Sequence, residues 1–189
     1  MLREVDAALE DAVDRVMTCE PDHLVLGISG ESVWGGGLEP SRRVRDRILA
    51  RTGGVDVTQP ADALRPALDA YRVGGRNAEI SPYHPPAEPH HVEYHEAARA
   101  AYIAHDKPSD IAATSDGRMR AAIEEVDGDD VEAIVQFGAN LPFGPLAAAA
   151  ERWLGKPVLA MIRATYWHAL RRNGIDDRVA GYGRLLAEF

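Results

Sequence analysis

Two segments of the chain place small and polar residues directly after short apolar runs. The first is Ser29-Gly30-Glu31-Ser32, which follows His23-Leu24-Val25-Leu26-Gly27-Ile28. The second is Gly138-Ala139-Asn140, which follows Val131–Phe137. Glycine lets backbone N–H groups come close to a ligand, and a helix starting just beyond favours negative charge. Hydroxyls of Ser29, Ser32 and Tyr83 with the amide of Asn140 would complete a cradle for a carboxylate or an enediolate. The plainer reading is that both are ordinary strand-to-helix turns, rich in Gly and Ser for conformational reasons.

Other chemistry-bearing residues compete with this one. Five of the seven histidines lie between His84 and His105, and His91 and His95 are four apart, so one helical face could offer both to a zinc ion. Glu88, Glu96 or Asp106 could add an oxygen ligand. His91-Val92-Glu93-Tyr94-His95 puts its Glu in the wrong place for the zinc-protease pattern, so a solvated helix face or lid is the preferred reading and no metal is expected. Arg163 follows an apolar run and could pair with a substrate carboxylate or with a surface acid. His168 reads as a structural histidine, and Trp34, Trp153, Tyr166 and Trp167 as core or cleft-wall aromatics. The single cysteine, Cys19, precedes the first apolar run and so falls at the opposite end of its strand from the cradle.

The elements that must position these residues alternate. Apolar spacing predicts a helix over residues 2–18, a strand buried on both faces over 23–28, and a helix from Ser41, its N-cap, to Arg51. A strand at Val55–Thr58 and a helix over Pro60–Tyr71 follow, then a weak strand at Asn77–Ser81, helical residues over 89–102, and a helix capped by Ser115 or Asp116. Strand Val131–Phe137, a helix opened by Pro145 and stopped by Gly155, strand Pro157–Ile162 and helix Ala164–Asn173 complete the chain. This order predicts an α/β fold with a mostly parallel sheet flanked by helices. The strand–Gly–x–Ser–Gly–helix segment at 23–51 echoes strand–Gly–x–Asn–helix at 131–154, as two similar lobes facing one cleft would.

Composition narrows the partners. A net charge of −9 argues against nucleic acid and anionic membranes, though not against a small anion held by local donors. One cysteine permits no internal disulfide and points to a reducing compartment, the cytoplasm. Acidic residues interrupt the first helix, which rules out a signal peptide, and no apolar run reaches the roughly 18 residues of a membrane span.

The segments DHLVLGISGESVWGGG, DDVEAIVQFGANL and ERWLGKPVLAMIRATYWHALRRNGI, in this order, resemble the aspartate/glutamate racemase superfamily, nearest its maleate cis–trans isomerase and arylmalonate decarboxylase branch. The resemblance covers residues 1–60 and 115–189, with SPY at 81–83 matching a tyrosine turn. It implies two pseudosymmetric lobes, with 1–60 and about 175–189 in the first and 61–174 in the second. It also implies a cofactor-independent site between the lobes for a small carboxylate or dicarboxylate, working by isomerisation, racemisation or decarboxylation through an enediolate. The two cysteine positions of the superfamily fall at Ile28, within one residue, and at Gly138; neither can move a proton. The resemblance further implies a strand, helix and strand ahead of the first helix here. Without them the first lobe is incomplete, its exposed strand edge favours a homodimer, and activity is less certain than fold. Ser29, Gly30, Ser32, Tyr83, Gly138, Ala139, Asn140 and Arg163 are the expected substrate contacts.

Overall fold

The computed structural model describes residues 2–28, 38–84 and 97–189. Two helices, α1 (Leu2–Ala7) and α2 (Leu9–Met17), make up the first helical stretch and are joined through Ala8. Strand β1 (His23–Val25) pairs in parallel with β2 (Asp56–Thr58), and α3 (Leu38–Thr52) lies between them in sequence. Leu9 and Val13 of α2, Val44 and Ile48 of α3, and Leu24 and Val57 of the strands form one apolar cluster. Val25 points the other way and is 44% exposed, so β1 is not buried on both faces as expected. Ser41 is no N-cap: the helix is already under way at Leu38, and the Ser41 carbonyl accepts a bond from the Gln59 amide at 3.0 Å.

A larger sheet follows. Helix α4 (Pro60–Ala70) leads to β3 (Asn77–Ser81), which is buried throughout and lies at the centre of a four-stranded parallel sheet. Its neighbours are β4 (Ala97–Tyr102) and β5 (Ala133–Gln136), and β6 (Val158–Ala160) pairs with β5. Residues 97–102 are therefore a strand and not part of a helix. Pairing with β3 overrides the helical preference of their alanines, and the exposure of Arg99 and Ala100 marks an outer edge. Two further helices lie on the way, α5 (Pro108–Ile111) and α6 (Asp116–Val126), the latter capped by Ser115.

Helix α7 (Gly144–Leu154) ends on Gly155, whose φ of 69° is the left-handed conformation that stops a helix. On this face of the sheet α6 and α7 enclose Ile80, Met119, Ile123, Ile134 and Phe143. The opposite face carries α4, α8 (Met161–Arg172) and α9 (Arg184–Glu188), which bury Leu64, Val135, Phe137, Leu159, Trp167 and Leu185. Helix α9 thus packs on the four-stranded sheet, where the expected partner of residues 175–189 was the first lobe. Trp153 and Tyr166, expected in the core or cleft wall, are 42% and 52% exposed, whereas Trp167 is buried. Trp34 lies outside the described residues.

Helix α8 joins the two sheets. Met161, Ala164 and Trp167 face the four-stranded sheet, while the same helix packs against β1 and β2. Its last turn sends Arg172 to Asp56 of β2 at 2.7 Å, and Arg45 of α3 binds the other oxygen of that carboxylate. Burial works against the Asp56 charge, yet the Val57 N–H and the two guanidiniums hold its carboxyl below the usual range.

The burial pattern makes the two sheets unequal in what they tolerate. Ile80→Ala, inside the fully covered β3, should cost about 2–5 kcal/mol in urea unfolding, and Val25→Ala on β1 within roughly 0.5 kcal/mol of nothing. Equal losses at the two positions would contradict the packing described here.

Candidate functional site

The carboxyl end of β5 carries the best-defined part of the site. Gln136 is a buried polar residue in an apolar strand, and its amide donates to the carbonyls of Phe137 and Gly138, the latter at 2.8 Å. The Gly138 carbonyl also accepts from the Leu141 N–H. The chain thereby turns sharply, with Gly138 at φ +88°, a region side chains rarely adopt. From this turn α7 starts at Gly144, so the partial positive charge of its first N–H groups lies just beyond the loop.

A second strand end meets the first. At the end of β3, Ser81 is fully buried and its hydroxyl accepts from the Tyr83 N–H at 3.4 Å, which shapes the Pro82-Tyr83 turn. A Cβ placed on Gly138 would stand 2.5 Å from Pro82 Cγ and 3.4 Å from the Tyr83 hydroxyl. Glycine at 138 is thus required twice, by its backbone angle and by the proline ring. The tyrosine hydroxyl reaches the space into which a side chain at 138 would project.

Of the expected contacts, the structure brings Tyr83 and Gly138 together, with Ala139 half-buried and Asn140 at the open side of the turn. Arg163 is not a residue following a strand but part of the first turn of α8, because β6 ends at Ala160. Its guanidinium packs against Gly144 and over the Tyr182 ring at 5.1 Å, and its Nη1 is buried with no hydrogen-bond partner among the described residues. Ile28 is half-buried beyond β1, and the neighbouring Gly27 faces Ile162 of α8. Ser29, Gly30 and Ser32 lie outside the described residues, as do His90, His91 and His95. Of the remaining cluster, exposed His84 pairs with Asp106 at 3.2 Å and His105 bonds the Thr114 hydroxyl at 2.8 Å. No group of three metal-ligating side chains occurs among the described residues. Cys19 is exposed and precedes β1, at the far end of that strand from Gly27 and Ile28.

Pro82, Ser81 and Gln136 are the site residues that sequence reasoning missed. A glutamine inside the run Val131–Phe137 was the available signal, since a polar side chain in a buried strand must find a partner. Nothing in the sequence marks the contact between Pro82 and Gly138.

His168 and His23 sit where α8 crosses the small sheet. His23 bonds the Thr58 hydroxyl at 2.8 Å, while Nδ1 of His168 is buried with no partner among the described residues. Burial lowers the pKa of both, with Arg172 adding to the effect at His168.

The fold is that of the Asp/Glu racemase-like superfamily. Maleate isomerase from Nocardia farcinica is 30% identical over 202 residues, covering 99% of this chain and 78% of that protein. A maleate cis–trans isomerase variant from the same organism, with cysteine changed to serine and a covalently bound succinylcysteine intermediate, superposes with a TM-score of 0.86. It is 24% identical over 100% of this chain and 80% of its own. Arylmalonate decarboxylase shares the fold with a TM-score of 0.76 at 21% identity, over 96% of this chain and 83% of its own. No family profile matches the chain. Within the superfamily the chain belongs to the maleate isomerase family.

Two outcomes follow from the geometry. Gly138→Ala should cost about 1–3 kcal/mol in denaturant unfolding, from the strained φ and the overlap with Pro82. A neutral substitution would mean that the turn is not held as described. For His168, a pKa below the ordinary 6.5 means that the unfolded chain binds the proton more readily. Stability should therefore be full above that pH and decline as pH falls below it. His168→Gln should lose less stability between pH 7.5 and pH 5 than the parent; an equal loss in both would show that His168 does not contribute.

Proposed function

We propose that the chain is a cofactor-independent isomerase or decarboxylase that holds a small carboxylate or dicarboxylate at its strand ends and stabilises an enediolate there. The observation that carries the reading is the meeting of the Tyr83 hydroxyl with the Gly138 turn, in a chain of the maleate isomerase family. In this reading the N–H groups of Gly138 and Ala139 and the Asn140 amide face one carboxylate. Ser29, Gly30 and Ser32 supply donors from the first lobe, and Arg163 lends positive charge from behind the start of α7. Preorganised neutral donors suit an enediolate because charge builds on its oxygens as it forms.

The relative's succinylcysteine intermediate requires a thiol at the site. The only cysteine here is Cys19, so thiol addition to an alkene is not the retained chemistry. No helix among the described residues is long and apolar enough to cross a membrane. A cytoplasmic setting and a homodimer that covers exposed Val16 and Val25 belong to the same proposal.

The test is thermal unfolding with maleate, malonate, succinate and phenylmalonate, before and after alkylation of Cys19. Saturation at 100 times the dissociation constant should stabilise the chain by about 2.7 kcal/mol, equally in the alkylated protein. No stabilisation by any of the four, or its loss on alkylation, would sink the reading.

A further inference from the structure

We infer that Glu151 is a positioning residue, which keeps the Arg163 guanidinium behind the first turn of α7. From there the charge selects ligands with two carboxylates over ligands with one. The inference rests on the carboxylate-binding reading above and adds the residue that holds this charge in place.

Gly144 shows that the guanidinium has a built place. A Cβ there would stand 2.6 Å from Arg163 Cζ and 2.7 Å from Nη2, so the guanidinium lies along the backbone of the helix start. Unlike Gly138 and Gly155, Gly144 has no positive φ, and its backbone would take any residue. What excludes a side chain here is the guanidinium. Yet the place is a poor one for a cation. The first turn of α7 carries partial positive charge, and burial pushes the Arg163 pKa down. Nη1 is buried with no hydrogen-bond partner among the described residues. Arg45 and Arg47 each meet two carboxylates, whereas the described neighbour of the Arg163 guanidinium is the Tyr182 ring at 5.1 Å.

Glu151 supplies the counter-charge. It lies about two turns along α7 from Gly144, on the same helix face, and is 4% exposed. Both of its oxygens are tied: one accepts from the Tyr71 hydroxyl at 2.6 Å and the other from the Arg184 N–H at 2.8 Å. The carboxylate is thereby fixed from the end of α4 and the start of α9. Arg163, Glu151, Tyr71 and Tyr182 line one cavity of about 10 Å³, too small for more than a water. Across it the charge of Glu151 works against the burial of Arg163 and favours the guanidinium cation. On its other side Arg163 borders an open cleft of about 540 Å³ shared with Val25, Tyr166 and Tyr182. A guanidinium that lost Glu151 would have solvent within reach and would turn to it.

The selectivity follows from where the charge is held. Set behind Gly144, the guanidinium acts through space, so its effect grows with the total charge of the ligand and not with the shape of one carboxylate. A single carboxylate is met by the neutral donors of the loop. A second one adds a charge that only the distant guanidinium answers.

The experiment measures binding of succinate and of butyrate, in which a methyl replaces one carboxylate, to the full chain by calorimetry. Nitrogen NMR follows the Arg163 Nε–H, assigned by its loss in Arg163→Gln. The parent should bind succinate more tightly than butyrate at neutral pH and show an Nε–H signal protected from exchange with water. Glu151→Gln should lose about tenfold in succinate affinity with butyrate unchanged within roughly twofold, and its Arg163 Nε–H should exchange about tenfold faster or more. Made in Arg163→Gln, the same substitution should change succinate binding no further, because it acts through Arg163. Gly144→Ala displaces the guanidinium while favouring the helix, and should lose the same selectivity. If Glu151→Gln does not fold, Tyr71→Phe, which frees the carboxylate and keeps its charge, takes its place and should give the same pattern. Succinate affinity that rises in Glu151→Gln would mean that the carboxylate screens Arg163 and does not place it, which overturns the inference. Equal losses for both ligands, additive losses in the double variant, or unchanged Nε–H exchange overturn it as well. If the parent binds neither of these ligands nor the four carboxylates above, the carboxylate-binding reading falls. The Nε–H exchange then decides by itself whether Glu151 positions Arg163.

Discussion

The packing of α8 between the two sheets is the constraint on which the rest depends. One side of this helix completes the core above β5 and β6, through Met161, Ala164 and Trp167. The other lies on β1 and β2, whose far face is already covered by α2 and α3. A two-stranded sheet is too small to stand alone, so its position is set by what its second face rests on. The start of α8 at Met161 also fixes the cleft, because Gly27 at the end of β1 faces Ile162 and the same turn carries Arg163 toward Gly144. Arg172 at the other end of the helix binds Asp56. Helix α8 therefore holds the small sheet through both strands, beyond β1 at Gly27 and on β2 at Asp56.

That arrangement explains why the polar residues around α8 are ordered as they are. The pairs from Arg172 and Arg45 to Asp56 are part-buried, so each removes a charge that would otherwise be stranded between α8 and the small sheet. His23 and His168 stand in the same layer, and burial lowers the pKa of both. The junction is thus polar but nearly charge-balanced, and its hydrogen bonds give it a register that apolar packing alone would leave free.

Much of the fold was legible from periodicity and punctuation. Pro60, Ser115, Pro145 and Gly155 marked helix ends because each acts through its own backbone. What failed depended on partners distant in the chain. Ala97–Tyr102 is a strand only because β3 pairs with it, and local preference pointed to a helix. Asn77–Ser81 looked weak because Asn77, Glu79 and Ser81 are polar, yet it is the buried centre of the sheet. At the site, Gly138, Ala139, Asn140 and Tyr83 were readable as small or donor-bearing residues after strands. Pro82 was not, since its role comes from touching Gly138 across the sheet.

The acidity of the chain does not oppose an anionic ligand at this place. At physiological ionic strength an exposed charge is screened within about 8 Å, so the total of −9 matters less than the few groups lining the cleft. Several acids are also neutralised locally: Asp6 and Glu10 by Arg47, Asp14 by Arg51, and Asp56 by two arginines. Beside the Gly138 turn the described groups are the backbone of the loop, a phenol, an amide and the start of α7, with the Arg163 guanidinium set behind them against Gly144. Such donors are partly desolvated and already oriented, so they need little reorganisation when charge appears before them. A cationic side chain touching the reacting oxygens, unlike Arg163 set back behind Gly144, would bind the dicarboxylate ground state as strongly as the enediolate. Neutral donors that tighten as negative charge concentrates on two oxygens favour the enediolate instead, and a site that must discriminate between the two is better built from them.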